Sequence, residues 1–180
     1  EHVLKQLKPV MENSGILKIG QNIKYDVLVL GHYGIAVQGL SFDTMIASYL
    51  LNPGKTSHGL DAPALEYLNY KTTTYQEVTG SGKKQIGFCE VDIKTATRYS
   101  GEDADITLQL KQKLSPMLHE QKLDTLFRDM EMPLMEVLAD MEFNGVRIEP
   151  RELARQKQDL GQRAVDLREQ IQKQAGTEFN

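Results

Sequence analysis

Two pairs of side chains in this sequence are spaced for shared chemistry. Tyr99 and Asp103 lie in Arg98-Tyr99-Ser100-Gly101-Glu102-Asp103-Ala104-Asp105, within a stretch from Ile93 to Leu114 that has few helix breakers. Residues four apart on a helix share a face, with about 5–6 Å between Cβ atoms, so this phenol and this carboxylate should point the same way. Ile106 and Leu110 continue the line and place the pair at the end of an apolar row. An unpaired charge there is costly, and its remedies are a basic neighbour, hydrogen bonds or a bound cation. Asn22 and Asp26 repeat the spacing in Gly20-Gln21-Asn22-Ile23-Lys24-Tyr25-Asp26. Taken singly, each residue has a plain structural reading. Asp103 can pair with Arg98 or Lys111, Asp26 can be an exposed charge on an amphipathic helix, and Tyr99 can be a core aromatic with a satisfied hydroxyl. Glu102 and Asp105 face away from Asp103, so solvent is their default.

The elements that must position these residues follow from the chain order. Val3, Leu4, Leu7 and Val10 have helical spacing, interrupted by Pro9, and Ile16 to Ile19 reads as a short strand. The Asp26 helix runs to Leu30 and closes at Gly31 and Gly34. Val37 to Phe42 alternates as a strand, and Asp43 is placed to cap a helix over Thr44 to Leu51, more naturally than to ligate a metal. A further helix spans Asp61 to Asn69, with Pro63 tolerated in its first turn. Lys71 to Cys89 is polar and loop-like, and Gly80 to Lys84 reads as a surface loop whose Lys83 and Lys84 suit a DNA backbone. His58 reads as structural or exposed. After Pro116 the composition changes. Leu123 to Met141 is Met-rich and amphipathic, the Met cluster being core filling, and Asn144-Gly145 makes a turn. Val146 to Ile148 reads as a strand, and Pro150 opens a charged helix to about Ala175, with Leu153, Leu160, Leu167 and Ile171 at near-heptad spacing. We place a boundary near Leu123: an α/β domain over 1–123 and the largely helical start of another over 124–180.

Composition excludes more than it assigns. Hydrophobic residues make up 40% and charged residues 26% of the chain, enough for a core and too apolar for a disordered segment. The net charge of -4 offers no global attraction to polyanions, so DNA would have to be held by local basic groups or metal ions. The single Cys89 excludes an internal disulfide framework and suits a reducing cytoplasm. No apolar run reaches the roughly 18 residues that span a bilayer. Gly54-Lys55-Thr56 mimics the end of a phosphate-binding loop, but Tyr49 stands where that motif needs glycine. The chain opens at Glu1 without Met and reads as an excised piece.

Asn22-x-x-x-Asp26 followed by Tyr99-x-x-x-Asp103 resembles the second and third motifs of the proofreading 3'-5' exonuclease domain in bacterial family A DNA polymerases. The resemblance extends through Phe42-Asp43-Thr44-Met45 and Tyr99 to Leu110. Glu131-Met132-Pro133-Leu134 with Asn144-Gly145-Val146 looks like the opening of the family's polymerase domain. It implies a ribonuclease H-like α/β fold lacking its first strands, then mainly helical, thumb-proximal segments. It implies two divalent ions, magnesium or manganese, suited to hard oxygen ligands. Asp103 matches a direct metal ligand, Asp26 a carboxylate serving the second ion partly through water, and Tyr99 the residue that orients the attacking water.

The same resemblance implies a single-stranded DNA 3' end as partner. Asn22, Lys24 and Tyr25 are candidates to position the strand, and Tyr75 to stack on a base, an interaction worth about 1–3 kcal/mol. Two ions about 4 Å apart then serve both attack and departure in an in-line displacement. The family's Asp-x-Glu motif has no counterpart before Asn22, so the expectation is that these 180 residues act weakly or not at all alone, within a parent that proofreads and polymerises in the cytoplasm. Ser57 stands where some relatives carry a basic residue. The other readings are a non-catalytic module supporting a polymerase and a stand-alone exonuclease of the RNase D type, which the segment from Glu131 argues against. The apolar stripe of the last helix, left without a partner, favours self-association.

Overall fold

In the computed structural model, which describes residues 2–177, the short parallel sheet is organised around a single carboxylate. Strand β1 (Lys18–Gly20) pairs with β2 (Leu40–Asp43), aligning Ile19 with Phe42 and Gly20 with Asp43. Helix α2 (Ile23–His32) makes the crossover between them, and α3 (Thr44–Leu51) leaves directly from β2. Asp43, at the end of β2, is 1% exposed. Its carboxylate accepts from the backbone N–H of Ile23 at 2.7 Å and Asn22 at 3.3 Å, at the start of α2. It also accepts from Met45 at 2.8 Å and Ile46 at 3.2 Å, at the start of α3. The expected cap of α3 is therefore also the cap of α2, with two helix N-termini converging on one negative charge. The sheet needs close approach at two glycines. A Cβ on Gly20 would lie 2.6 Å from that of Ile23, and Gly39, with φ +72°, would put one 2.7 Å from the Ile16 carbonyl oxygen.

The long helix α6 (Ile93–Glu120) closes over this frame and packs against α3, α4 (Asp61–Leu68) and β1. Its Leu110, Leu114 and Leu118 are at most 2% exposed and run down one face at intervals of four. Pro116 lies inside the helix, and Leu118 beyond it is still buried in the core. A three-residue turn, α7 (Asp124–Leu126), and a π-helical turn (Phe127–Glu131) lead into α8 (Met132–Asn144), whose Met132 and Met135 join the same core. α8 lies on α2. Packing thus does not break at Leu123, and the compact unit runs from Glu1 to Asn144. An amino-terminal helix, α1 (His2–Met11), and a one-turn helix, α5 (Tyr75–Thr79), complete it.

The second unit, Gly145–Asn180, carries α9 (Pro150–Ala175), which begins on Pro150 and ends at Gly176 in the left-handed region. Leu153, Leu160, Val165, Leu167 and Ile171 on it are all at least half exposed. Arg155 bridges Glu152 at 2.6 Å and Asp159 at 2.7 Å. Val146 to Ile148, expected as a strand, is extended coil without strand partners, since alternation alone cannot make a strand where no neighbouring edge accepts it. The two-stranded sheet in a mostly helical unit agrees with the α/β class expected.

If Asp43 ties the sheet to two helices, Asp43→Ala should cost about 2–4 kcal/mol, the loss of a buried cap plus stranded donors. Asp43→Asn should cost less because one oxygen remains. Urea denaturation of the chain with unchanged m-values measures both, and a loss below about 1 kcal/mol for Asp43→Ala would show that water replaces the cap.

Candidate active site

Asp92 starts α6 as an N-cap, accepting from the Thr95 N–H at 3.0 Å. Two turns later Tyr99 and Asp103 occupy the same face, as their spacing required. The Tyr99 ring is half-buried and its hydroxyl is within hydrogen-bonding reach of Asp103. Burial, then the Asp103 charge and that hydrogen bond, push the Tyr99 phenol up to about 12, so at neutral pH it is a hydrogen donor and not a base. Burial also raises the Asp103 carboxyl. The Tyr99 hydrogen bond opposes that rise, while the Glu102 and Asp61 carboxylates add to it. Neither Arg98 nor Lys111 pairs with Asp103 among the described residues.

Asp26 reaches the same place from α2. It and Asp103 both line a cleft of about 650 Å³ whose floor is β1, with Leu17, Ile23, Leu30, Val37, Leu60 and Leu108 as its apolar walls. The walls explain why burial dominates the upward shift of Asp26. A backbone hydrogen bond opposes it, and the charge of Asp43 adds to it. The donor set facing the cleft is thus two carboxylates without ion-pair partners among the described residues. It suits an oxygen-seeking cation chemically. No group of three or more His, Cys, Asp or Glu side chains that could hold a metal ion occurs among the described residues.

The other residues singled out in the sequence divide. Asn22 is not on the α2 face but precedes the helix in the left-handed region, φ 56° and ψ 49°, with no side-chain cap bond. Its spacing to Asp26 is that of a helix start, not of a shared face. Lys24 is not a free cation, because Glu142 of α8 pairs with it. Tyr25 is 66% exposed. Tyr75 opens α5 and is 45% exposed. Its ring stacks on Phe88 at 6.1 Å between centroids, and Phe88 meets Tyr99 at 5.7 Å.

Comparison with known proteins bears directly on this arrangement. Residues 1–119 match the 3'-5' exonuclease family of DNA polymerase A. The chain belongs to this exonuclease family. It is 41% identical over 181 residues to DNA polymerase I of Pseudomonas aeruginosa, covering 99% of this chain and 20% of that protein. With DNA polymerase I of Rhizobium leguminosarum it is 40% identical, covering 98% and 17%. The chain therefore spans about a fifth of the length of these curated relatives. Among solved structures, the POL domain of Pol1 from M. smegmatis, in complex with DNA primer-template and dNTP, is similar with a TM-score of 0.69. The identity is 22%, over 98% of this chain and 27% of that one. The kinship expected from the Asn22/Asp26 and Tyr99/Asp103 motifs is borne out.

Two further side chains near this arrangement differ from what the sequence predicts for them: Phe88, which it does not single out, and Glu102, which it assigns to solvent. Phe88 was reachable as the aromatic in the polar stretch before α6, and it joins Tyr75 to Tyr99. Glu102 is not left to solvent. It accepts from the Tyr70 hydroxyl at 2.7 Å and from the Thr73 N–H at 3.1 Å, and both bonds hold its carboxyl below the usual range. No short-range pattern signals those partners, which lie 32 and 29 residues away. His58 is structural, its Nδ1 sharing a hydrogen bond with Ser48 Oγ at 2.9 Å.

The raised Asp103 carboxyl has a consequence for stability. A folded acid with a raised pKa binds its proton more tightly than the unfolded chain does. It therefore imposes no cost below the unfolded value, and its cost grows as pH rises through the folded one. Asp103→Asn should then raise the Tm of the chain at pH 7 by about 1–2 °C, a small gain because the group is partly solvated. The gain should vanish near pH 3.5. Thermal unfolding at both pH values checks this, and a pH-independent gain or a loss would contradict it.

Proposed function

We propose that this chain is the exonuclease portion, with the opening of the polymerase portion, of a DNA polymerase I that removes nucleotides from DNA 3' ends and synthesises DNA on a template. The observation that supports the reading is the convergence of Asp26 from α2 and Asp103 from α6 on one cleft, with the protonated Tyr99 hydroxyl beside Asp103. Relatives named DNA polymerase I align over 98–99% of the chain, beyond the exonuclease match at residues 1–119. That favours a polymerase parent over a stand-alone exonuclease. The finer assignments follow: a ribonuclease H-like fold for 1–123, thumb-proximal polymerase helices for 124–180, and work in the cytoplasm, at the nucleoid. Among the described residues no helix is long and apolar enough to cross a membrane.

In this reading Asp103 would hold one of two divalent ions directly and Asp26 would serve the other partly through water. Magnesium or manganese bound there would supply Lewis-acid activation of water and charge stabilisation at the leaving 3' oxygen. Tyr99, kept as a phenol, donates to Asp103 and orients the attacking water. Tyr25 and Tyr75 present exposed rings on which bases of a single-stranded end can stack, and Asn22 lies beside them in sequence as a contact to the strand. A role for Lys24 requires that it exchange Glu142 for a phosphate. With two carboxylates and no group of three acidic, imidazole or thiol side chains that could hold a metal ion among the described residues, these 180 residues alone should hold two dications weakly and excise slowly.

In the intact polymerase, Asp103→Ala should lower magnesium-dependent excision of a single-stranded 3' end at least about a thousandfold, while primer extension stays within about twofold. Single-turnover excision and extension assays measure the two. Retained excision would leave only a structural role for this domain.

The exposed row Leu153, Leu160, Leu167 and Ile171 on α9 supports self-association of the 180-residue chain, because such a stripe gains most by burial against another. Sedimentation equilibrium should show a dimer that Leu160→Glu converts to monomer; a monomer at all loadings would refute this.

A further inference from the structure

Glu102 sits beside Asp103 in sequence but on another face of α6, where it fastens the segment between α4 and α5. Tyr70 and Thr73 donate to its two carboxylate oxygens, Oε1 and Oε2. These are the only hydrogen bonds among the described residues that tie 70–74 to α6. Between them, Thr72 is 3% exposed and its hydroxyl donates to Asp61 at 2.6 Å, at the start of α4. The next residue, Thr74, caps α5 in a reciprocal box with Glu77: its N–H donates to Glu77 Oε2 at 2.7 Å, and the Glu77 N–H donates to Thr74 Oγ1 at 3.2 Å. Tyr75 follows at the first helical position. The order Glu102, Thr73, Thr74, Tyr75 leaves little freedom for the Tyr75 ring, which rests on Phe88 and through it on Tyr99.

We propose that Glu102 is a positioning residue for the DNA strand end, because its bonds to Tyr70 and Thr73 fix Tyr75 and Phe88 against Tyr99. Resting on the exonuclease reading above, this assigns Glu102 to binding of the strand and not to the chemical step. Its carboxylate does not line the cleft that Asp26 and Asp103 share. Loss of the clasp leaves α5 capped and folded, because the box between Thr74 and Glu77 is local. Only its placement on α6 loosens, so the stacked base loses a preorganised partner.

The test uses the intact polymerase and a single-stranded oligodeoxynucleotide. Glu102→Ala should raise the KM for excision about five- to tenfold, the scale of one net hydrogen bond, with kcat within about twofold. Glu102→Gln, which keeps an acceptor for Thr73, should fall between it and the native enzyme. Combined with Tyr75→Ala, Glu102→Ala should add almost nothing, since the two act through one ring. Hydrogen exchange of the Thr73 amide should quicken in Glu102→Ala while amides around Leu110 and Leu114 keep their protection, which separates local release from unfolding. An unchanged KM, a fall confined to kcat, or effects that multiply with Tyr75→Ala would overturn the proposal. If Asp103→Ala abolishes excision while Glu102→Ala binds the strand normally, only the role of Glu102 fails. If Asp103→Ala still excises, the exonuclease reading fails and the proposal with it.

Discussion

The buried carboxylate of Asp43 is the constraint on which the site depends. Four backbone N–H groups, from Asn22, Ile23, Met45 and Ile46, end on it. Without it each helix start would leave donors unanswered in a region where water is excluded. The charge fixes α2 relative to the end of β2, and α2 carries Asp26 to the cleft. The left-handed Asn22 belongs to the same device, since it turns the chain from β1 so that the next N–H points at Asp43. Gly20, with no room for a Cβ against Ile23, allows that turn to be tight. The opposite wall is set by a different force. α6 is held by Leu110, Leu114 and Leu118 in the core, and its rigid geometry carries Tyr99 and Asp103 to the upper part of the same face.

What could be read in the sequence was whatever depended on neighbours in the chain. The cap at Asp43, helix α3, the shared face of Tyr99 and Asp103, and the long helix after Pro150 all follow from local spacing and turn chemistry. The failures have a common cause. Val146 to Ile148 alternates like a strand but has no edge to join. Asn22 shares the spacing of a helical pair with Asp26 but lies outside the helix, and only the long-range bond to Asp43 reveals why. Glu102 reads as solvated and Lys24 as a cation free for the strand. Each is engaged by a partner at least 29 residues away, Tyr70 and Thr73 for one and Glu142 for the other.

Three aspartates in this unit show how environment assigns different work to one side chain. Asp43 is buried more deeply than the others, yet it meets four N–H donors and two helix dipoles that stabilise its charge. Asp26 and Asp103 meet apolar walls and other carboxylates, with a single hydrogen-bonding group each acting against the desolvation. The deepest carboxylate is therefore the satisfied one, and the shallower pair is under-satisfied. Depth of burial alone therefore does not tell which carboxylate is left with unmet charge.

That contrast also explains why the chain can carry two under-satisfied carboxylates in the cleft without unfolding. A charge answered fully by the protein has nothing left to offer a cation, and one buried without any answer would destabilise the fold by several kcal/mol. Asp26 and Asp103 sit between these limits. Solvent reaches both, so their cost stays small, while apolar neighbours in the same cleft, Ile23 among them, leave each carboxylate partly desolvated. Tyr99 narrows the range further. Its phenol cannot ionise near neutral pH, so it always presents a donor to Asp103 and never a competing negative charge. The stability given up at the two shallow carboxylates is offset by the caps at Asp43 and the leucine spine of α6, which lie deeper and do not move with the charge state of the cleft.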